Sequence, residues 1–248
     1  MTHSTFILVH GGWHGGWCYE RVATLLRARG HIVFTPTLTG LGERAHLFSG
    51  SINLSTHIDD VLSVVMFERL DSFVLVGHAY GGMVVTGVAD RIPEHVKALV
   101  YLDAFVPEDG ESLADISLDG IEGFIMAAGA NGGLAIPPPD ASFFGVFGED
   151  AEMVNTLTTP HPLGTLTEKV TLSGAHHAVD PVLYVHATEL KRESPFVVFY
   201  ERAKEAGWTV AELACGHDVM LDMPVETAEL IEVARIMANG GVARFAAE

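Results

Sequence analysis

Residues 73–85, FVLVGHAYGGMVV, read as a buried apolar strand, a sharp turn and the start of a helix. The turn, Gly77-His78-Ala79-Tyr80-Gly81, fits the pattern G-x-S-x-G everywhere but at its centre. That pattern holds its central side chain on a strained, exposed point between strand and helix, where a serine oxygen can attack a carbonyl. Ala79 offers no such oxygen. The rest of the turn keeps its use: glycines allow strand and helix to approach closely. The Tyr80 N–H opens the helix, where unpaired donors and the positive dipole end favour a developing oxyanion.

Two further stretches supply what such a turn would need. The first strand ends in HGGWHGGW, residues 10–17, a glycine-rich turn whose Gly12 N–H is the candidate second oxyanion donor. LACGHDVML, residues 213–221, places His217 between the last strand and the last helix, alone among 13 histidines in that setting and suited to a general base. Trp13, His78 and Phe105 flank these turns and are candidates to line a substrate pocket.

The elements that must position these residues alternate. Short apolar runs at 5–10, 31–36, 72–78, 96–105, 181–188 and 208–214 suit strands buried on both faces. Helical patterns lie between them: 17–30 with Gly30 as a stop, 54–70 with Ser55 or Thr56 as N-cap, and 81–92 ended by Pro93. After the fifth strand come a helix around 194–207 and a last one from Pro224, ended by Gly240 and Gly241. A mostly parallel six-stranded α/β sheet flanked by helices is predicted. The alternation breaks at 107–180, rich in Gly, Pro and apolar residues, which reads as a cap inserted into a core formed by 1–106 and 181–248.

HGGWHGGWC (10–18), LVGHAYGGM (75–83) and CGHDVML (215–221) together resemble the α/β-hydrolase superfamily. The resemblance is close to the branch holding plant methylesterases, salicylate-binding esterases and hydroxynitrile lyases, with their bacterial esterase relatives. The likeness covers nearly the whole chain. It implies the α/β-hydrolase fold without the two leading antiparallel strands of larger members, a small-molecule ester substrate, no cofactor and no metal, and it allows for a homodimer.

The chain departs from the branch at its triad acid. Plant members carry an aspartate in a phrase like CTED, whereas here the phrase is ATELK, with Leu190 at that place. Two carboxylates remain open: Glu189, one position earlier, and Asp103, at the end of the strand after the elbow helix. Strand alternation turns Glu189 away from where the aspartate would point, and an apolar strand end favours a partnered Asp103. Hydroxynitrile lyases have a lysine after the catalytic histidine and a threonine after the first-strand histidine. Here these are Asp218 and Gly11, which favours ester hydrolysis over cyanohydrin cleavage. The chain then reads as a carboxylesterase-type serine hydrolase of small or medium apolar esters, amides or carbamates, with a serine-to-alanine exchange at 79 that leaves binding without turnover. A non-catalytic small-molecule receptor on the same fold is the competing expectation.

Composition sets outer limits. Lys and Arg total 14 against 32 Asp and Glu, a formal charge of −18 that disfavours nucleic acid and anionic membranes. The 48% apolar content suits a large core, no run spans a bilayer, and the N-terminus lacks a signal-peptide pattern, so a cytoplasmic protein is expected. Cys18 and Cys215 are too few for a disulfide framework and are expected as reduced thiols. The cluster His176-His177 with Asp180, and the pair His10 and His14, have no recognised metal-ligand spacing.

Overall fold

The computed structural model describes residues 3–118, 120–129 and 132–241. The outer ends of the core ranges and positions 119, 130 and 131 of the cap range lie outside these. In chain order the elements are β1 (Thr5–Val9), α1 (Glu20–Ala28), β2 (Ile32–Phe34), α2 (Leu54–Phe67), β3 (Phe73–His78), α3 (Gly81–Arg91) and β4 (Val96–Leu102). There follow α4 (Leu113–Ile116), α5 (Gly120–Gly129), β5 (Ala135–Ile136), α6 (Glu149–Leu157), β6 (His161–Pro162) and α7 (Leu163–Thr167). The chain closes with β7 (Val182–Ala187), α8 (Val197–Glu205), β8 (Thr209–Leu213), α9 (Val219–Asp222) and α10 (Pro224–Ala238).

Six strands form one parallel sheet in the order β2-β1-β3-β4-β7-β8. β3 and β4 lie at its centre, paired through Val74↔Ala98 to His78↔Leu102. All six residues of β3 are buried, as its uninterrupted apolar run requires. Alternation sends Leu75 and Leu99 to one face, under α2, α3 and α8, and Val74, Val76 and Val100 to the other, under α1 and α10. The sheet is thus a partition between two apolar layers.

Two local expectations are corrected. β2 is only Ile32–Phe34, half the predicted length: it is an edge strand bonded to β1 alone, and Pro36 has no N–H to continue the ladder. The N-cap of α2 is Asn53, not Ser55 or Thr56; its side chain accepts from Thr56 N at 2.9 Å while Thr56 Oγ1 accepts from Asn53 N at 3.3 Å, a reciprocal cap. Between β4 and β7 the described residues add no strand to the main sheet. They form α4 to α7 and the antiparallel ribbon β5–β6, bonded Ala135↔Pro162 and Ile136↔His161. No helix is long and apolar enough to cross a membrane, among the described residues.

Candidate active site

The site lies where the parallel strands end, as open α/β sheets place ligands. At the end of β3, Ala79 takes a left-handed φ of 49°, costly for any residue with a Cβ. Its neighbours hold it there: Ala79 N donates to Leu102 O at 3.3 Å, and Ala79 O accepts from Gly82 N at 3.0 Å and Phe105 N at 3.1 Å. Close packing requires the glycine that follows, because a Cβ on Gly81 would stand 2.6 Å from Val9 O. Because a trans peptide points its C=O and N–H in opposite directions, a carbonyl held by Gly82 and Phe105 turns the Tyr80 N–H to the other side.

One strand over, Asp103 caps β4, also left-handed with φ 42° and fully buried. Its Oδ2 accepts from His217 Nδ1 at 2.7 Å. Its Oδ1 accepts from His186 Nδ1 at 2.9 Å and from Ala187 N at 3.2 Å. Burial pushes the carboxyl up, but the bonds and charges of the two histidines outweigh it and hold Asp103 below its ordinary value. The Glu189 side chain is exposed, and its main-chain N–H joins Cys215 O at 3.0 Å. Both thiols are free and buried.

With Nδ1 committed, His217 keeps Nε2 for exchange with a reacting group. Its ring is fixed from several sides. Phe196 stacks on it at 4.6 Å and 9°, its N–H donates to Phe144 O at 2.8 Å, and His78 Nε2 donates to its carbonyl at 3.0 Å. His78 is pushed down to about 3, chiefly by burial and then by the nearby His217, so it is neutral and serves as a strut.

The glycine turn after β1 is gripped by three histidines. His10 Nδ1 donates to Gly11 O at 2.8 Å while its Nε2 accepts from Leu38 N at 3.0 Å. His14 Nδ1 donates to Gly12 O at 2.7 Å, and Trp13 N donates to His161 Nδ1 at 3.1 Å. The Trp13 N–H is therefore spent. The Gly12 N–H, opposite the carbonyl that His10 holds, is the donor of this turn left beside the elbow. A Cβ on Gly12 would lie 4.0 Å from Tyr80 Cβ, which places the two turns side by side.

Gly12, Tyr80, Ala79 and His217 border one cavity of about 260 Å³. Trp13, His78 and Phe105 line it too. Its roof is apolar, from Leu113, Phe124, Phe143, Phe144 and Leu166 of the 107–180 segment, with Phe196 from the stretch after β7. Arg192 stands at the rim over the Phe143 ring, 3.9 Å from its centroid. Sequence reasoning did not find His186, His161 or the contact of Asp218 with His14, at 3.1 Å. The inward place of His186 in β7 was the only available signal.

Among the described residues, His78, His217 and Asp218 are the one group whose potential ligand atoms lie within 4.8 Å of each other. One ring nitrogen of each histidine is engaged in the bonds above, His78 Nε2 on the His217 carbonyl and His217 Nδ1 on Asp103. His176 bonds Asp90 Oδ1 at 3.0 Å in place of the cluster with His177 and Asp180 considered from sequence.

Comparisons with known proteins bear on the family of the whole chain. A carbendazim hydrolyzing esterase of Nocardioides sp. (strain SG-4G) is 46% identical over 237 residues, 91% of this chain and 97% of that one. A pyrethroid hydrolase of Sphingobium wenxiniae is 34% identical over 112 residues, 44% of this chain and 39% of that one. The solved structure of an extracellular α/β-hydrolase from a Paenibacillus species superposes with a TM-score of 0.80 at 26% identity, covering 93% of this chain and 98% of that chain. The sequence profile described as "Alpha/beta hydrolase family" matches residues 6–230. On that match and on the six-stranded parallel sheet, the chain belongs to the alpha/beta hydrolase family.

Proposed function

We propose that this protein is an esterase-type hydrolase of small, largely apolar carboxylic esters and carbamates, present here in a form that binds substrate without turning it over. The observation that carries the reading is the Asp103–His217 pair at 2.7 Å, bordering the same cavity as the elbow residue Ala79. With serine at 79, His217 Nε2 takes the hydroxyl proton as the oxygen attacks the carbonyl carbon. The N–H groups of Gly12 and Tyr80 receive the oxyanion, and Asp103 holds the imidazole in its tautomer and stabilises the imidazolium. His217 then protonates the departing alcohol, and water, activated by the same ring, releases the acyl or carbamoyl group.

The aromatic roof supports a flat apolar substrate, and we assign 107–180 the role of cap over it. The carbamate arm draws on the Nocardioides esterase, named for hydrolysing carbendazim. Ala79 itself supports the competing reading, a small-molecule receptor on the same fold. The two are separated by Ala79→Ser, assayed on methyl and aryl esters and on methyl carbamates of aromatic amines. A gain on the order of 10⁴ over the Ala79 protein is expected. No gain across the panel, with ligands still bound, would leave the receptor reading standing.

A further inference from the structure

Behind the cavity, a second acid–histidine pair joins the glycine turn to the loop that carries His217. The side chains of His14 and Asp218 are 1% and 0% exposed, with Nε2 and Oδ2 3.1 Å apart. The other ring nitrogen of His14 lies 2.7 Å from the Gly12 carbonyl. A neutral imidazole has one N–H, and a carbonyl oxygen has none to offer, so a neutral ring cannot donate to both partners. An imidazolium facing a carboxylate satisfies both contacts. The Trp17 indole stacks on the ring at 5.3 Å and 28°, a face that attracts a cation.

The other titratable groups around the pair leave this charge assignment undisturbed. His10, His78 and His161 are each pushed down, mainly by burial, and so are neutral. Burial likewise raises the Cys18 thiol and the Tyr19 phenol, which keep their protons. His217 also faces Asp218 and bonds Asp103 instead. For His14, burial works against protonation, but the charge and bond of Asp218 and the Gly12 carbonyl outweigh it and raise the ring above 6.5. Asp218 is held below 3.8 despite burial, first by His14.

We propose that His14 is a standing imidazolium which, paired with Asp218, is a positioning element for the reaction: it fixes the Gly12 turn against the His217 loop. His10 holds the carbonyl before Gly12 and His14 the carbonyl after it, so both peptides flanking the candidate oxyanion donor are pinned. Asp218 directly follows His217, so the same pair ties the base to the donor. The catalytic consequence rests on the hydrolase reading; the charge state does not.

Two measurements test this. In the Ala79 protein, ¹⁵N-resolved NMR of the His14 ring is expected to show both nitrogens protonated at pH 7, and Asp218→Asn to convert the ring to the neutral form. A singly protonated ring in the parent at pH 7 overturns the proposal, whether or not the variant folds and whether or not Ala79→Ser is active. In the Ala79→Ser enzyme, Asp218→Asn is expected to lower kcat about 10- to 100-fold with KM changed less than about twofold, as misplaced groups do. The alkaline limb of the kcat profile should also move to lower pH. A loss confined to KM, or an unmoved limb, overturns the positioning role.

Discussion

Asp103 and Asp218 are both fully buried carboxylates bound to a histidine, at 2.7 Å and 3.1 Å, yet the two pairs are built for opposite ends. In the first, the histidine spends one nitrogen on the carboxylate and presents the other to a cavity. In the second, both nitrogens are spent, one on Asp218 and one on Gly12 O. A histidine can move a proton only if one nitrogen is left for the substrate. The difference between base and strut is therefore set by what faces the second nitrogen, not by the acid.

The largest test of this contrast removes the charge from the first pair. In the Ala79→Ser enzyme, Asp103→Asn should lower kcat by on the order of 10⁴, because the amide favours the wrong imidazole tautomer. A loss below about tenfold would mean that His217 is not oriented by Asp103.

Stability against pH separates the pairs next. Asp218 lies below its ordinary 3.8 in the fold, so its stabilisation is present above 3.8 and is lost as pH falls through the folded value. His14 is raised above 6.5, so its stabilisation is complete below 6.5 and is lost as pH rises through the folded value. Urea unfolding of the Ala79 protein and its Asp218→Asn variant should therefore differ most between these two pH values and converge outside them. The expected gap is about 3 kcal/mol, the usual cost of breaking a buried pair. A gap that is constant with pH would show that the pair is not ionic.

His186 sharpens the first pair alone. Replacing it with leucine leaves Asp103 Oδ1 with only the Ala187 N–H, at 3.2 Å, and should lower kcat of the Ala79→Ser enzyme roughly tenfold, the scale of one charged hydrogen bond. An unchanged kcat would make that contact irrelevant to the base. The smallest effect is expected at Glu189→Gln, within about twofold in kcat, because surface changes away from a site are near neutral. A large loss there would transfer the acid role to Glu189.

How much of this was legible depended on the range of the interaction. The elbow is local: Gly77 to Gly81 spans one turn, and its sterics are written into five consecutive residues. Asp103 and His217 could be chosen because both follow strand ends, where a parallel sheet gathers its loops. The preference for Asp103 over Glu189 rested on the two-residue period of a strand and on the cost of an unpaired carboxylate at an apolar strand end. Asn53 was missed as a cap because Ser55 and Thr56 are equally good capping types, and only the entry angle of the chain into α2 decides among them. His161 was missed because its partner, Trp13 N, lies 148 residues away in sequence.

The sequence by itself determined the alternation of buried strands and helices, the tight elbow and the absence of a nucleophilic oxygen at 79, since each depends on neighbouring residues and covalent chemistry. Only the tertiary structure decided how each histidine is partnered, His217 with one ring nitrogen on Asp103 and His14 with both on acceptors. That distinction rests on contacts between residues 114 and 204 positions apart, and on burial that holds some rings neutral while a single adjacent carboxylate charges another. No local pattern encodes the field inside a folded core, because the field belongs to the packing.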